Sequence, residues 1–429
     1  MLTTAGNRAA ILDPHPSSPA ARFRDVREQS VQLAAPLSPE DQGAQSMPDA
    51  SPTKWHLAHT TWFFETFLLA PHAPGYRLFD PRFGFLFNSY YEAIGPRHER
   101  PKRGLLTRPS LEEIDAYRRH VDAHLLALLL HDEGRARALA PLLELGLNHE
   151  QQHQELLLTD VKHLFAQSPL RPSYLPREPR PVALPTEGGW VSFEGGLTEI
   201  GHQGSSFAFD HEGPRHRVFL NPFALASRPI TNHEYLAFIA DCGYLRPELW
   251  LSDGWAFVQQ ERLGAPLYWE RSEGAWWCFT LGGLAPLDPC EPVAHLSFFE
   301  ADAFARWAGA RLPTEAEWEI AARDIAIARN LLERGRLHPG AAPRGDGGPL
   351  QQLFGDVWEW TASPYTPYPG YRPAPGALGE YNGKFMSGQL VLRGGSALTP
   401  RSHLRATYRN FFAPTARWQL TGLRLARDA

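Results

Sequence analysis

Cysteine is scarce in this chain, and the few cysteines that occur follow no disulfide or zinc pattern. Only Cys242, Cys278 and Cys290 are present among 429 residues. An odd number of cysteines without a CxxC spacing excludes a disulfide framework and a zinc ribbon. The cysteine content is therefore typical of a protein from a reducing cytosol.

Long apolar runs and an excess of basic charge are also missing. The formal net charge is -5 with histidine neutral, so neither nucleic acid nor an anionic membrane is expected as a partner. No stretch approaches the ~18–20 uninterrupted apolar residues of a membrane span, and the first twenty residues lack the apolar core of a signal peptide. These absences predict a cytoplasmic protein.

The hydrophobic pattern that is present predicts a helical N-terminal domain. Residues 1–20 are expected to be a flexible N-terminus. Apolar residues then recur every three or four positions through 55–69, 114–130 and 139–165, which is the period of amphipathic helices that share a core. Residues 21–168 are therefore expected to form a helical bundle.

A proline-rich segment separates this bundle from a region of different composition and hydrophobic pattern. Six prolines between residues 169 and 186 predict a semi-rigid linker, because proline has a locked φ and no amide donor. In residues 187–429, Gly, Trp and Pro recur throughout and only a few stretches have a helical pattern, which predicts an irregular α+β domain with long loops. The short apolar runs are Trp190–Phe193 and His216–Leu220, and the helical stretches are 232–241 and Phe298–Trp307.

The strongest chemical signal is a pair of histidines in the last helical segment. His149 and His153 are four residues apart and so lie on one helix face, with Gln152 beside them. A third ligand is needed from an earlier helix, and His59 is the best candidate, with His56 one turn away as the alternative. Three imidazoles leave open positions on an ion, which suits Fe(II) by analogy with the two-His-one-carboxylate triad.

The same segment also permits other interpretations. His149, Glu150 and His153 satisfy the HExxH pattern of zinc peptidases, in which the glutamate is the general base. No glycine follows in metzincin spacing, and no third ligand is evident downstream. A pair of histidines on a helix surface that binds no metal is the other alternative.

Several longer motifs resemble a known family, the EgtB-like sulfoxide synthases of ergothioneine biosynthesis. The resemblance spans nearly the whole chain and rests on the stretches 57–59, 87–92, 149–155, 229–235, 311–319, 355–361 and 392–396. It implies a DinB-like four-helix bundle followed by a C-type-lectin-like α+β domain similar to the formylglycine-generating enzyme.

The resemblance implies a non-haem iron(II) enzyme that uses dioxygen. Such enzymes form a C–S bond between hercynine, which is trimethylated histidine, and a cysteine-type thiol, and they yield a sulfoxide. Carried over by position, His59, His149 and His153 would bind the iron, and Gln152 would contact the hercynine imidazole. The expected partners are therefore small molecules.

Two further groups of residues acquire roles by the same resemblance. Asn410, Phe411 and Phe412 fall where the family closes over the betaine, and an aromatic ring there suits a quaternary ammonium group. Tyr90 or Tyr91 is expected to supply the phenol that gives a proton or hydrogen bond during oxygen activation.

The last loop departs from the family members that recognise γ-glutamylcysteine. Those members carry an Asp and an Arg where this chain has Phe412 and, approximately, Ala416. This difference favours free cysteine as the thiol, although γ-glutamylcysteine stays open. Arg97, Arg100 and Arg103 are candidate clamps for a substrate carboxylate, because guanidinium binds carboxylate bidentately.

Functions of other classes are weaker fits. A formylglycine-generating oxidase needs a reactive cysteine pair near the C-terminus, and no cysteine follows Cys290. The ovothiol-type synthases carry an added methyltransferase region, and this sequence shows no Gly-rich nucleotide-binding unit. A non-catalytic lectin-like binding protein is the remaining alternative, since fold alone does not determine function.

Overall fold

The computed structural model describes residues 18–176, 188–343 and 348–429 and shows a helical region followed by a region of sheets and short helices. Residues 1–17, which make up most of the expected flexible N-terminus, lie outside the described residues. So do residues 177–187, which hold much of the expected proline linker. None of the helices in the described ranges is long and apolar enough to cross a membrane.

The longer helices of the N-terminal region, apart from Thr53–Phe64, start at serine or aspartate side chains that cap them. Ser18 caps the first helix, Ser110 forms a capping box with Glu113, and Asp132 caps the longest helix. The helices are α1 Pro19–Ala34, α2 Pro39–Gly43, α3 Thr53–Phe64, α4 Ala70–His72, α5 Phe83–Phe87, α6 Leu111–His131 and α7 Glu133–Gln167. A π-helical turn, Glu65–Leu69, continues α3 into α4.

Helices α1, α3, α6 and α7 pack around one aromatic-rich core, as the periodicity predicted. The axes of α3 and α7 approach closely at Gly146 of α7. A Cβ on Gly146 would lie 2.5 Å from Cε1 of Phe64 and 3.1 Å from Cε1 of Phe63, both on α3. The absence of a side chain at Gly146 therefore lets these two helices come together, one turn before His149.

In the described residues of the C-terminal region, four sheets combine with four short α-helices. The helices are α8 Asn232–Ala240, α9 Ser252–Glu261, α10 Phe298–Trp307 and α11 Glu315–Ala322. The strands are β1 Trp190–Phe193, β2 Gly196–Ile200, β3 His216–Leu220, β4 Phe223–Ala226, β5 Trp269–Ser272, β6 Ala275–Thr280, β7 Gly283–Pro286, β8 Trp358–Pro364, β9 Leu390–Arg393, β10 Asn410–Phe412, β11 Thr421–Gly422 and β12 Ala426–Asp428.

Within the described residues these strands pair mostly antiparallel. The sheets have the orders β1-β4-β12, β10-β9-β8-β11, β2-β3 and β5-β6-β7, and only β8 and β11 pair in parallel. Glu359 of β8 forms a bidentate ion pair with Arg424, and both side chains are fully buried. The predicted mixed α and α+β fold is confirmed.

Helix α7 joins the two regions through buried polar contacts. The Glu155 carboxylate accepts hydrogen bonds from Trp358 Nε1 at 2.8 Å, Ser396 Oγ at 2.5 Å and Thr399 Oγ1 at 2.6 Å. Gln151 Nε2 donates to Ser402 Oγ at 2.6 Å. The segment of α7 that carries the candidate histidines is therefore also the segment that contacts the second region.

Candidate metal centre

Three histidines from two helices converge inside the molecule. His59 lies on α3, and His149 and His153 lie one turn apart on α7. One ring nitrogen from each lies within 4.8 Å of the others. The Nε2 atoms of His59 and His149 are 3.1 Å apart, and two nitrogens bound to one ion at about 2.1 Å and a right angle would be about 3 Å apart. The cluster therefore has the spacing of a three-imidazole metal site.

The Nδ1 atoms of the three rings differ in their hydrogen-bond partners. His59 Nδ1 is 2.6 Å from the Phe87 carbonyl oxygen, to which it donates. His153 Nδ1 lies 2.8 Å from Nδ1 of His56. His149 Nδ1 is buried without a hydrogen-bond partner among the described residues. His56, the alternative ligand from the sequence, thus contacts a member of the cluster and does not replace one.

Burial keeps these rings in the form that binds metal. Desolvation lowers the pKa of His59 and His153 well below the usual value, and it lowers the pKa of His149 to about 3. His149 further lowers the pKa of His59 and of His153, because a second positive charge in the cluster is unfavourable. Neutral imidazoles with a free lone pair are the ligands that iron and other transition metals accept. The residues present fit such an ion.

Glu150 does not take part in this cluster. Its carboxylate accepts hydrogen bonds from Arg27 Nη1 at 2.8 Å, Ser30 Oγ at 2.6 Å and Arg118 Nη2 at 3.2 Å, and the side chain is fully buried. The general base of an HExxH peptidase must reach the metal-bound water. Since the Glu150 carboxylate is held in a structural ion-pair network with Arg27 and Arg118, the arrangement does not support the peptidase interpretation.

A cavity of about 780 Å³ opens from the cluster between the two regions. His149 and His153 form part of its wall, together with residues of both regions. Most of the residues that the sequence singled out as substrate-binding or catalytic lie on this wall: Tyr90, Arg97, Arg100, Arg103, Gln152, Asn410, Phe411 and Phe412. Tyr91 is not on the wall. Its ring is fully buried behind Tyr90 at a centroid distance of 4.6 Å.

Tyr381 is a cavity residue that the sequence analysis missed. Its hydroxyl donates a hydrogen bond to Gln152 Oε1, and its ring centroid lies 5.6 Å from that of His149. Gln152 Nε2 in turn donates to Tyr408 Oη at 2.8 Å. Burial raises the pKa of Tyr381 well above that of a free phenol, so the hydroxyl keeps its proton at neutral pH. No periodicity or motif marked this residue.

The three candidate arginines differ in their surroundings. Arg97 pairs with Glu92 at the surface, and Arg100 donates to the carbonyl oxygen of Asp49. The Arg103 side chain is buried. Its Cζ lies 3.4 Å from the centroid of the Trp55 ring, and its Nη1 donates to Ser51 Oγ at 2.9 Å.

Arg103 forms no ion pair with any carboxylate in residues 18–176, 188–343 or 348–429, and its Nε has no hydrogen-bond partner there. Burial consequently lowers the pKa of its guanidinium. Neither Arg100 nor Arg103 pairs with a carboxylate in the described part of the chain, and Arg103 is the buried one of the three arginines.

Family models match both regions of the chain. The DinB superfamily model covers residues 22–157, and the sulfatase-modifying factor enzyme 1-like domain covers residues 176–331 and 333–429. A DinB-type bundle that carries a three-histidine cluster, joined to a sulfatase-modifying-factor-type domain, defines the class of two-domain protein to which this chain belongs.

Curated relatives identify the family within that class. A hercynine oxygenase from Mycolicibacterium smegmatis is 34% identical over 90% of this chain and 92% of its own, and one from Mycolicibacterium thermoresistibile is 33% identical over 97% and 96%. A formylglycine-generating enzyme from Streptomyces coelicolor is 31% identical but matches only 59% of this chain. The chain belongs to the hercynine oxygenase family, which confirms the resemblance inferred from the motifs.

Proposed function

We propose that this protein is an iron(II)- and dioxygen-dependent enzyme that joins hercynine to a thiol and oxidises the sulfur to a sulfoxide. Relatives named hercynine oxygenase that align with nearly the full chain support this proposal. The observation that carries it is the three-histidine cluster at the wall of a cavity that both domains line. Neither the peptidase nor the lectin-like alternative is supported by the family.

His59, His149 and His153 are the proposed ligands of the iron. Bound iron(II) would supply the electrons and the open coordination positions that dioxygen and a thiolate need. The chain's own contribution is to hold three neutral imidazoles on one side and to leave the cavity side free for substrates. Holding both substrates next to each other in that cavity is a proximity effect of the kind that lowers a reaction barrier by ~7–11 kcal/mol.

Gln152, Asn410, Phe411 and Phe412 are proposed to bind hercynine. The Gln152 amide, which the Tyr381 and Tyr408 hydroxyls hold, offers both a donor and an acceptor to an imidazole ring. The Phe411 ring stacks on Tyr365 at a centroid distance of 4.0 Å. A stacked aromatic wall of this kind attracts a trimethylammonium group through the ring faces.

Arg103 is proposed as the main anchor for the carboxylate of the thiol substrate, with Arg97 and Arg100 nearer the surface. A buried guanidinium without a counter-ion is stabilised when a carboxylate enters. Phe412 lines the cavity and Ala416 is buried. Neither offers a charge to a γ-glutamyl group, so cysteine is the preferred thiol and γ-glutamylcysteine the alternative.

A phenol on the cavity wall is proposed to donate a proton or hydrogen bond during oxygen activation. Tyr90 and Tyr91 were the candidates from the sequence, and Tyr90 alone of these two lines the cavity. Tyr381 is added here because its ring centroid lies 5.6 Å from that of His149 and its hydroxyl is protonated at neutral pH. General acid catalysis by such a group is typically worth about 100-fold or more.

The proposal is tested by product analysis. The purified protein is incubated aerobically with Fe(II), hercynine and either cysteine or γ-glutamylcysteine, and the products are examined by mass spectrometry. A sulfoxide adduct of hercynine is expected with cysteine at the higher kcat/KM, and His149→Ala should abolish both the product and the uptake of about one Fe(II) per chain. Absence of an adduct with both thiols would reject the reaction.

A further inference from the structure

We infer that His56 and Asp160 are positioning residues that hold the His153 ring in one tautomer and one orientation through a chain of hydrogen bonds from the Ser51 backbone amide. The chain has three contacts. Ser51 N is 2.8 Å from Asp160 Oδ2, Asp160 Oδ2 is 3.1 Å from His56 Nε2, and His56 Nδ1 is 2.8 Å from His153 Nδ1. This role depends on the proposed function only in that the histidine cluster binds a metal ion.

The backbone amide determines the direction of each hydrogen bond. Ser51 N–H can only donate, so Asp160 Oδ2 is an acceptor. The same oxygen therefore accepts from His56 Nε2–H as well. A neutral His56 that is protonated at Nε2 has a bare Nδ1, and this Nδ1 must accept from His153 Nδ1–H. His153 is then left with a bare Nε2.

This assignment gives His153 the nitrogen that a metal ion requires. A neutral imidazole carries one proton, so a ring held as the Nδ1–H tautomer presents its Nε2 lone pair to the cluster. His59 reaches the same state through the Phe87 carbonyl oxygen. His149 has no such partner among the described residues. The three rings are therefore held unequally, and His153 is the one connected to a carboxylate.

The position of the relay on the helices makes it rigid. His56 precedes His59 by one turn on α3, and Asp160 follows His153 by two turns on α7. The relay thus links the two helices that carry the cluster. Ser51, His56 and Asp160 are all at most 6% exposed, so water competes little for their hydrogen bonds. The site is consequently preorganised before any ion enters.

The expected consequence is tighter metal binding by His153. A carboxylate behind a ligating histidine orients the ring and raises its basicity, and removal of such a partner typically weakens metal binding by about 10–100-fold. Here an additional imidazole transmits the effect from Asp160 to the ligand. Truncation of either His56 or Asp160 should therefore weaken the site without removing a ligand.

The first experiment measures Co(II) binding to the metal-free full-length protein by its visible absorption. Asp160→Ala and His56→Ala should each raise the Co(II) dissociation constant by about 10–100-fold and change the absorption spectrum. Asp160→Asn should have a smaller effect, because an amide oxygen can accept both hydrogen bonds while the charge is lost. His163→Gln is the matched control, since His163 lies one turn beyond Asp160 on α7 and its Nδ1 is hydrogen-bonded to Ser46 Oγ, which is not part of the relay.

The control variant should bind Co(II) within about twofold of the parent. Equal affinities for Asp160→Ala and His163→Gln would overturn the positioning role, as would a parent protein that binds no Co(II). Thermal melting checks that each variant is folded. Since no substrate is present, a loss of Co(II) affinity in the relay variants supports the role even if hercynine proves not to be the substrate.

The second experiment requires no variant. Selective ¹⁵N-histidine NMR of the metal-free parent at neutral pH reports which ring nitrogen carries the proton. The expected result is an Nε2–H tautomer for His56 and an Nδ1–H tautomer for His153. The reverse pair of tautomers would contradict the direction deduced from Ser51 and would overturn the role of the relay.

Discussion

The close approach of α3 and α7 at Gly146 leads to a prediction that couples stability to the metal site. Replacing Gly146 with alanine adds about 1 kcal/mol of helix propensity. The new Cβ would lie 2.5 Å from Cε1 of Phe64 and 3.1 Å from Cε1 of Phe63, and overpacking of this kind costs about 1–3 kcal/mol. We expect Gly146→Ala to be less stable than the parent by up to about 2 kcal/mol.

The matched control is Gly134→Ala in the first turn of the same helix. A Cβ there would meet nothing closer than Asp132 Oδ1 at 3.7 Å, so only the propensity gain of up to about 1 kcal/mol applies. Urea unfolding measures both free energies. Co(II) binding should weaken in Gly146→Ala alone, because the Phe63 ring packs 4.8 Å from the His149 ring. If Gly146→Ala is as stable as Gly134→Ala, the helix spacing does not depend on Gly146 and the reasoning is wrong.

Three other perturbations test the remaining parts of the molecule. Glu150→Ala should lower the free energy of unfolding by about 3–5 kcal/mol, measured in urea, because Arg27 and Arg118 would be left buried without their shared carboxylate. Arg103→Ala should raise KM for the thiol about 10–100-fold, as expected for a lost charge-assisted hydrogen bond, and leave KM for hercynine nearly unchanged; equal effects on both KM values in steady-state assays would argue against the anchor. Burial lowers the pKa of Lys162 to about 8, below the value of an unfolded chain, so the unfolded state binds more protons between pH 8 and 10.5 and stability rises with pH there. This rise, up to about 3 kcal/mol, should be absent in Lys162→Met when urea unfolding is compared at pH 8 and pH 10.

The parts of the fold that local geometry determines were predictable from the sequence. The helical period through 114–130 and 139–165 corresponds to α6 and α7, because an amphipathic pattern depends only on residues a few positions apart. The spacing of His149 and His153 likewise placed two rings on one face of α7. Their proposed role as iron ligands remains a prediction, as do the roles of the arginines and of the hercynine-binding residues.

Features that depend on distant parts of the chain were not predictable. Tyr381 follows a single 3₁₀ turn, Ala377–Glu380, and meets Gln152 across 229 positions of sequence. The connection between Ser51 and Asp160 spans 109 positions. Adjacent tyrosines gave no indication of which ring enters the cavity, because Tyr90 and Tyr91 differ only in the side of the backbone on which they fall. Such contacts arise from tertiary packing and produce no periodic pattern in the sequence.

Helix α7 presents the candidate ligands His149 and His153 in the same seven residues, 149–155, that dock the second domain, with Gln151 against Ser402 and Glu155 against Ser396 and Thr399. A chimaera made by exchanging the C-terminal domain for that of a relative would therefore disturb metal coordination as well as substrate choice unless the incoming domain keeps these hydroxyl groups. An exchange of either domain must consequently keep this stretch of helix together with the hydroxyl groups that face it.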